Sequence, residues 1–131
     1  MEHSERNLPS VMALAYLGDA VYSLYVRDKL VRMGYSHAGD LNALSLSYVT
    51  APKQAALVKS LLPFFTEWER DIYRRAYNHK GLRAPAHATR LQYQAATGFE
   101  AVLGALHYTG DEERIAFLLQ AAESNSDENA N

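Results

Sequence analysis

The chain has 131 residues, of which 48% are hydrophobic, so it is long enough to form one domain with its own core. It contains no Cys, which excludes disulfides, zinc–thiolate sites and thiol nucleophiles and is consistent with a cytoplasmic location. The net charge of −2 argues against a generic nucleic-acid binder, and the polar, partly acidic residues 1–7 are unlike a signal peptide.

Helix start and stop signals recur from the N-terminus onward, whereas strand signals are nearly absent. Pro9 and Ser10 open a first helix, and Gly34 closes it. Pro, Ser, Gly and Asp interrupt its apolar stretch too often for a membrane span, so we expect no membrane association. Ser36 is predicted to cap a short second helix that ends near Leu46.

The third, fourth and fifth helices are predicted from a capping residue or a capping box, and Gly110 and Asp111 separate the fifth helix from a last one. The predicted spans are about 51–62, 67–78, 90–108 and 112–123. Together these signals predict an all-α fold of about six to seven helices, forming one domain over residues 1–123. The polar residues 124–131 are expected to be a disordered tail.

Two carboxylates stand alone in apolar helices. Asp19 is the only charged residue between Leu8 and Val26, and Glu100 is the only Asp, Glu, Lys or Arg between Leu91 and Thr109. A buried, unpaired charge is costly, so these residues need a partner. Helices that are apolar nearly all round lie at the centre of a domain or in an oligomer interface. We therefore expect the two helices to cross and to bring both carboxylates to one cation.

Two glycines support this crossing. Gly18 and Gly104 lower helix stability, and close approach of the two helices explains why glycine stands at both positions. Oxygen ligands suit Mg²⁺ or Mn²⁺, and Mg²⁺ takes few carboxylates and keeps several waters. Zinc is disfavoured, since the sequence has no Cys and no pair of His at helical spacing.

Positive charge is concentrated in one segment. Residues 70–90 contain six Lys or Arg and one Asp, so this segment can bind a polyanion although the whole chain is acidic. The alternative is a solvated helix face followed by a loop. The basic residues are Arg70, Arg74, Arg75, Lys80, Arg83 and Arg90.

Both lone carboxylates lie in motifs that resemble a known family. Residues 15–22, Ala-Tyr-Leu-Gly-Asp-Ala-Val-Tyr, resemble the signature helix of the ribonuclease III family, and residues 99–105, Phe-Glu-Ala-Val-Leu-Gly-Ala, resemble its second metal-binding helix. Within that family the chain most resembles the Mini-III group, which consists of the catalytic domain without a double-stranded-RNA-binding domain. Longer relatives carry acids where this chain has Met12 and Thr97, and Mini-III proteins lack them as well.

The resemblance implies an endoribonuclease that hydrolyses phosphodiester bonds in double-stranded RNA and leaves 5′-phosphate and 3′-hydroxyl ends. Asp19 and Glu100 would be both catalytic residues and ligands of Mg²⁺, with Mn²⁺ as a substitute, and Thr97 would hydrogen-bond a water of the cation's hydration shell. It further implies a homodimer and a role in maturing large-subunit ribosomal RNA precursors. The expected RNA-binding residues are Arg74, Arg75, Lys80, Arg83, Lys53 and Arg90.

Two questions stay open at this point, the role of three tyrosines and the function of the chain. Tyr16, Tyr22 and Tyr25 of the first helix belong either to a symmetric dimer interface or to the ordinary core. The chain is either a nuclease or an inactive RNA-binding or ribosome-associated module of the same fold. A helical interaction protein, in which the two acids are merely satisfied by hydrogen bonds, is the third alternative.

Overall fold

The computed structural model describes residues 7–81 and 83–130, with side chains described as far as Ser124. Within these residues the chain forms six α-helices and no strand, which confirms the predicted all-α fold. The helices are α1 (Val11–Arg32), α2 (Ala38–Tyr48), α3 (Ala51–Leu61), α4 (Glu67–Tyr77), α5 (Arg90–Tyr108) and α6 (Glu112–Ala130). A short 3₁₀ turn, Leu62–Phe64, connects α3 to α4. None of the described helices combines the length and hydropathy needed to cross a membrane.

Helix α5 forms the centre of the domain. Its residues from Ala96 to Leu106 are all buried except Glu100, which is partly exposed. Helix α1 makes the largest interface with α5, and α3, α4 and α6 pack around the rest of it. The aromatic ring of Phe99 meets the ring of Tyr22 edge to face at 5.3 Å, inside this core. A central helix with one carboxylate among buried apolar neighbours is the arrangement that the sequence predicts.

The starts of α1, α3, α4 and α5 follow the predicted caps. The side chain of Ser10 accepts a hydrogen bond from the backbone N–H of Ala13 at 3.1 Å, and Thr50 caps α3 in the same way. Both predicted capping boxes are formed, at 66–69 and at 89–92. Each such cap satisfies backbone donors that the first helical turn leaves unpaired and contributes about 0.5–2 kcal/mol.

Helix α2 departs from its predicted boundaries. It begins after His37, whose side chain makes no capping hydrogen bond, so the prediction of a cap at Ser36 is wrong. It also continues to Tyr48, beyond the predicted end at Leu46. Leu41, Leu44 and Tyr48 pack against the core, so tertiary packing sets these ends in place of a local cap.

Helix α6 is assigned beyond its predicted end near Glu123. Side chains at 125–130 and the whole of residue 131 lie outside the described residues, so a disordered tail at 124–131 stays a prediction. The domain boundary at 123 likewise stays a prediction.

A buried ion pair attaches α6 to α4. The Glu69 side chain is 2% exposed, and its two oxygens accept hydrogen bonds from the Arg114 guanidinium at 2.8 and 2.9 Å. The same carboxylate accepts from the backbone N–H of Thr66, and Arg114 also donates to the carbonyl of Phe64. The charge is therefore paired and fully hydrogen-bonded, as a buried charge must be.

Candidate metal and catalytic site

The site begins where the backbones of α1 and α5 touch. A Cβ atom built on Gly18 would lie 1.6 Å from the carbonyl oxygen of Glu100, and one built on Gly104 would lie 1.9 Å from that of Leu14. Only hydrogen fits at either position, so the two glycines set the distance between the helices. Asp19 follows Gly18 directly, and this contact therefore places its side chain beside Glu100.

Asp19 and Glu100 meet in different environments. The Asp19 residue is exposed to solvent, whereas most of Glu100 is enclosed by α1, α3 and α5. Burial, with smaller contributions from a hydrogen bond and from the charge of Asp19, raises the pKa of the Glu100 carboxyl to about 9, although a hydrogen bond from Gln54 acts in the opposite direction. The carboxyl of Glu100 thus holds a proton at neutral pH in the absence of metal, and a cation that binds there has to displace this proton.

The donor set fits a hard divalent cation. Two carboxylates face each other across one helix crossing, with one open to solvent. Among the described residues no cluster of three or more His, Cys, Asp or Glu could hold a metal ion. A cation held here would keep most of its water ligands, which is the coordination that Mg²⁺ prefers and that Zn²⁺ in structural sites does not.

A cavity of about 300 Å³ opens beside Glu100. Gln54 of α3 contributes to its wall, and Pro85 and His87 contribute from the loop that connects α4 to α5. The loop of the basic segment therefore reaches the cavity beside Glu100. Neither Gln54 nor His87 was predicted as a site residue from the sequence.

Gln54 had a signal in the sequence that could have revealed it. It precedes Val58 by four residues and Leu61 by seven, and all three are buried on one face of α3. A long polar side chain on an apolar stripe is unusual and calls for a partner. His87 has no comparable signal, since its place beside Glu100 depends on the path of a loop.

Thr97 is buried one turn before Glu100 on α5. Its hydroxyl donates a hydrogen bond to the carbonyl oxygen of Tyr93 at 2.8 Å, so its proton is already engaged. The hydroxyl oxygen can still accept a hydrogen bond from a water. Its predicted part in the hydration of a cation stays a prediction.

The predicted RNA-binding side chains are all exposed. Arg74 and Arg75 lie on α4, where both contact the carboxylate of Asp71 at 2.7 and 3.1 Å. These surface ion pairs are weak and leave the guanidinium groups open to solvent. The remaining basic residues of the segment, Lys80, Arg83 and Arg90, are exposed along the loop and at the start of α5.

Lys53 lies apart from the Glu100 cavity. It lines a second cavity of about 540 Å³ together with Tyr22, Tyr25 and Lys29. The ammonium group of Lys29 lies 2.6 Å from the Glu123 carboxylate in this cavity. The structure thus places Lys53 on the α1–α3 side of the molecule, whereas the other basic residues lie on α4, the loop and α5.

An apolar face of α1 points outward. Tyr16 is 85% exposed, Leu24 69% and Val31 60%, and their spacing of eight and seven residues puts them on one side of the helix. Tyr22 is buried in the core and Tyr25 is half-buried, so Tyr16 is the most exposed of the three tyrosines and Tyr22 belongs to the core. Asp19 lies one turn from Tyr16 on the same helix.

Comparisons with known proteins identify the family to which the chain is similar. A model of the ribonuclease III domain matches residues 12–111. A protein named Mini-ribonuclease 3 from Symbiobacterium thermophilum is 47% identical over 111 residues, which are 85% of each chain. One of the same name from Enterococcus faecalis is 39% identical over 82% of this chain and 83% of its own. A crystal structure of a Fusobacterium nucleatum protein superposes with a TM-score of 0.79 at 30% identity, covering 89% of this chain and 93% of that one.

Proposed function

The chain belongs to the ribonuclease III family, and on that premise we propose that it is an endoribonuclease that hydrolyses double-stranded RNA with the help of a divalent cation. The observation that carries the proposal is the meeting of Asp19 and Glu100 at the α1–α5 crossing. Both residues lie in the segments that resemble the family's motifs, and the matched region, residues 12–111, includes both of them. Mg²⁺ is the proposed ion, with Mn²⁺ as a substitute.

The proposed reaction is attack of a water molecule on the phosphorus of a backbone phosphodiester. The bond from phosphorus to the 3′ oxygen breaks, the 3′ oxygen takes a proton, and the products carry a 5′-phosphate and a 3′-hydroxyl. A bound divalent cation supplies a Lewis acid that activates water and neutralises charge on the phosphate oxygens. Asp19 is exposed to solvent and Glu100 is partly buried beside a cavity, so substrate would approach the proposed centre from the side of Asp19.

The proposed RNA surface combines α4 with the loop that follows it. Duplex RNA is recognised mostly by its shape, through phosphates and 2′-hydroxyls, and phosphate affinity comes from basic side chains. Arg74 and Arg75 are exposed on α4, and the loop carrying Lys80 and Arg83 continues to the wall of the Glu100 cavity. A phosphate chain held by these groups would pass the carboxylate pair. Lys53 and Arg90 are proposed as further contacts.

We propose that the active form is a homodimer built on the exposed apolar face of α1. Tyr16, Leu24 and Val31 would be covered by the same residues of a second copy, as in an isologous interface. Two sites would then face the two strands of one duplex. A monomer mass by light scattering at micromolar concentration would contradict this arrangement.

The natural substrate follows from the Mini-III resemblance alone. We propose a precursor of large-subunit ribosomal RNA, processed in the cytoplasm. Cytoplasmic location stays a prediction of the sequence.

Cleavage of duplex RNA tests the proposed function directly. Purified protein is incubated with a duplex RNA in Mg²⁺, in Mn²⁺ and with EDTA, and the product ends are mapped by their reactivity toward phosphatase and ligase. We expect cleavage with either cation, none with EDTA, and 5′-phosphate ends. Tight, salt-dependent duplex binding without cleavage in either cation would identify an inactive RNA-binding module. Loss of both cleavage and binding would favour an interaction protein.

A further inference from the structure

Gln54 has hydrogen-bonding capacity that the protein itself does not use. Its side chain is 2% exposed on the face of α3 that packs against α5. Its Nε2 donates to the carbonyl oxygen of Val49 at 3.0 Å, and its side chain also acts as a hydrogen-bond donor toward Glu100, which lowers the pKa of that carboxyl. Its Oε1 is buried and has no hydrogen-bond partner among the described residues.

The orientation of this amide is fixed by its neighbours. The carbonyl of Val49 can only accept a hydrogen bond, so the nitrogen must face it and the oxygen must face elsewhere. A buried hydrogen-bond acceptor that has no partner is costly. An apolar residue at position 54 would fill the same space without that cost. The Gln54 oxygen is therefore expected to have a partner that belongs to the working site.

The cavity shared with Glu100 identifies the kind of partner. Gln54 and Glu100 line the same space of about 300 Å³, which is large enough for several waters. A cation held by only two carboxylates keeps water ligands, and these waters are hydrogen-bond donors that need acceptors. Acceptors around a metal's ligands orient them and raise affinity for the ion.

We propose that Gln54 is a positioning residue of the metal centre, whose Nε2 orients the Glu100 carboxylate and whose Oε1 accepts a hydrogen bond from a water of the bound cation. This inference rests on the proposed metal centre formed by Asp19 and Glu100. Gln54 acts through Glu100 and through water, and it touches neither the substrate nor the cation.

Mn²⁺ binding without RNA is the test, measured by electron paramagnetic resonance of the free ion. Gln54→Met keeps the length of the side chain and removes both polar atoms, and we expect its Mn²⁺ dissociation constant to rise about tenfold or more. Gln54→Asn keeps the amide but withdraws it by one methylene, and we expect the same loss of Mn²⁺ affinity. This second variant keeps the test available if Gln54→Met does not fold. Unfolding of each variant in the absence of metal reports its stability separately.

A matched control is available on α5. Gln94 also ties a neighbouring segment through its amide, donating to the carbonyl of Tyr77 at 2.7 Å, but it does not line the Glu100 cavity. Gln94→Met should change stability and leave Mn²⁺ affinity within twofold of the wild type. A purely structural role for Gln54 would make the two Met variants alike in Mn²⁺ affinity, and that result would overturn the inference.

Asp19→Asn separates this inference from the proposed function. If the wild type binds Mn²⁺, Asp19→Asn does not, and Gln54→Met binds as the wild type does, the metal centre stands and the role of Gln54 is refuted. If the wild type shows no Mn²⁺ binding at all, the proposed centre fails and the role of Gln54 fails with it. Reduced affinity in Gln54→Met and Gln54→Asn, with an unchanged Gln94→Met, supports the inference.

Discussion

Gly104→Ala is predicted to destabilise the protein although alanine is the better helix former. The added Cβ would lie 1.9 Å from the carbonyl oxygen of Leu14, about 1.5 Å inside the closest ordinary contact of 3.4 Å. The obstacle is backbone, so it cannot rotate away, and α1 must move off α5 by about that distance. Overpacking of this kind costs about 3 kcal/mol or more, against about 1 kcal/mol gained in helix propensity. We expect a net loss of about 2 kcal/mol or more.

Urea unfolding followed by circular dichroism measures this loss, with Gly39→Ala as the matched control. Gly39 lies in the first turn of α2, and a Cβ there would meet nothing within 4 Å. The control should be neutral or stabilising by up to about 1 kcal/mol, so the same substitution has opposite signs at the two sites. Equal stability of Gly104→Ala and the wild type would refute the close backbone contact. Gly104→Ala should also lose nuclease activity, because the α1–α5 distance sets the spacing of the carboxylates.

Three further predictions concern the RNA surface, the core and alkaline stability. Replacing Arg74 and Arg75 together by Ala should weaken duplex RNA binding and flatten its salt dependence, and an unchanged salt slope would remove them from the interface. Glu69→Gln should lower the free energy of unfolding by about 2–4 kcal/mol, because it leaves the Arg114 charge with a neutral partner. An unchanged urea midpoint of unfolding would contradict this prediction. Burial raises the pKa of Tyr73 from 10.0 to about 12, so the folded protein holds this proton more tightly than the unfolded chain. The stabilisation that the Tyr73 hydroxyl contributes is therefore complete below pH 10 and is lost as the pH rises toward 12. Ultraviolet titration in which all nine tyrosines of the folded protein ionise near pH 10 would refute this prediction.

The helix order and the central pair of carboxylates were predictable from the sequence because their signals are local. Caps at Ser10 and in the two capping boxes depend on residues three positions apart. Asp19 and Glu100 stand out because each is the only charged residue in a long apolar stretch of its helix, and nearby glycines indicate where those helices touch.

Tertiary packing decided what the sequence did not reveal. The outward face of α1 is apolar like its inward face, so periodicity alone could not distinguish Tyr16, which is exposed, from Tyr22, which is buried. The capping box predicted Glu69 as a local partner of Thr66, but its ion pair with Arg114 spans 45 residues. The place of His87 in the Glu100 cavity depends on a loop path that has no local signal.

The most direct test of a cation-dependent nuclease centre at Asp19 is cleavage of duplex RNA in Mg²⁺ by Asp19→Asn beside Asp28→Asn. Asp28 is also an exposed acid of α1, and it pairs with Arg32 at 2.7 Å. We predict that Asp19→Asn lowers the cleavage rate on the order of 10³-fold, equivalent to about 4 kcal/mol of lost transition-state stabilisation, and that Asp28→Asn cleaves at the wild-type rate. Wild-type cleavage by folded Asp19→Asn would contradict the central claim.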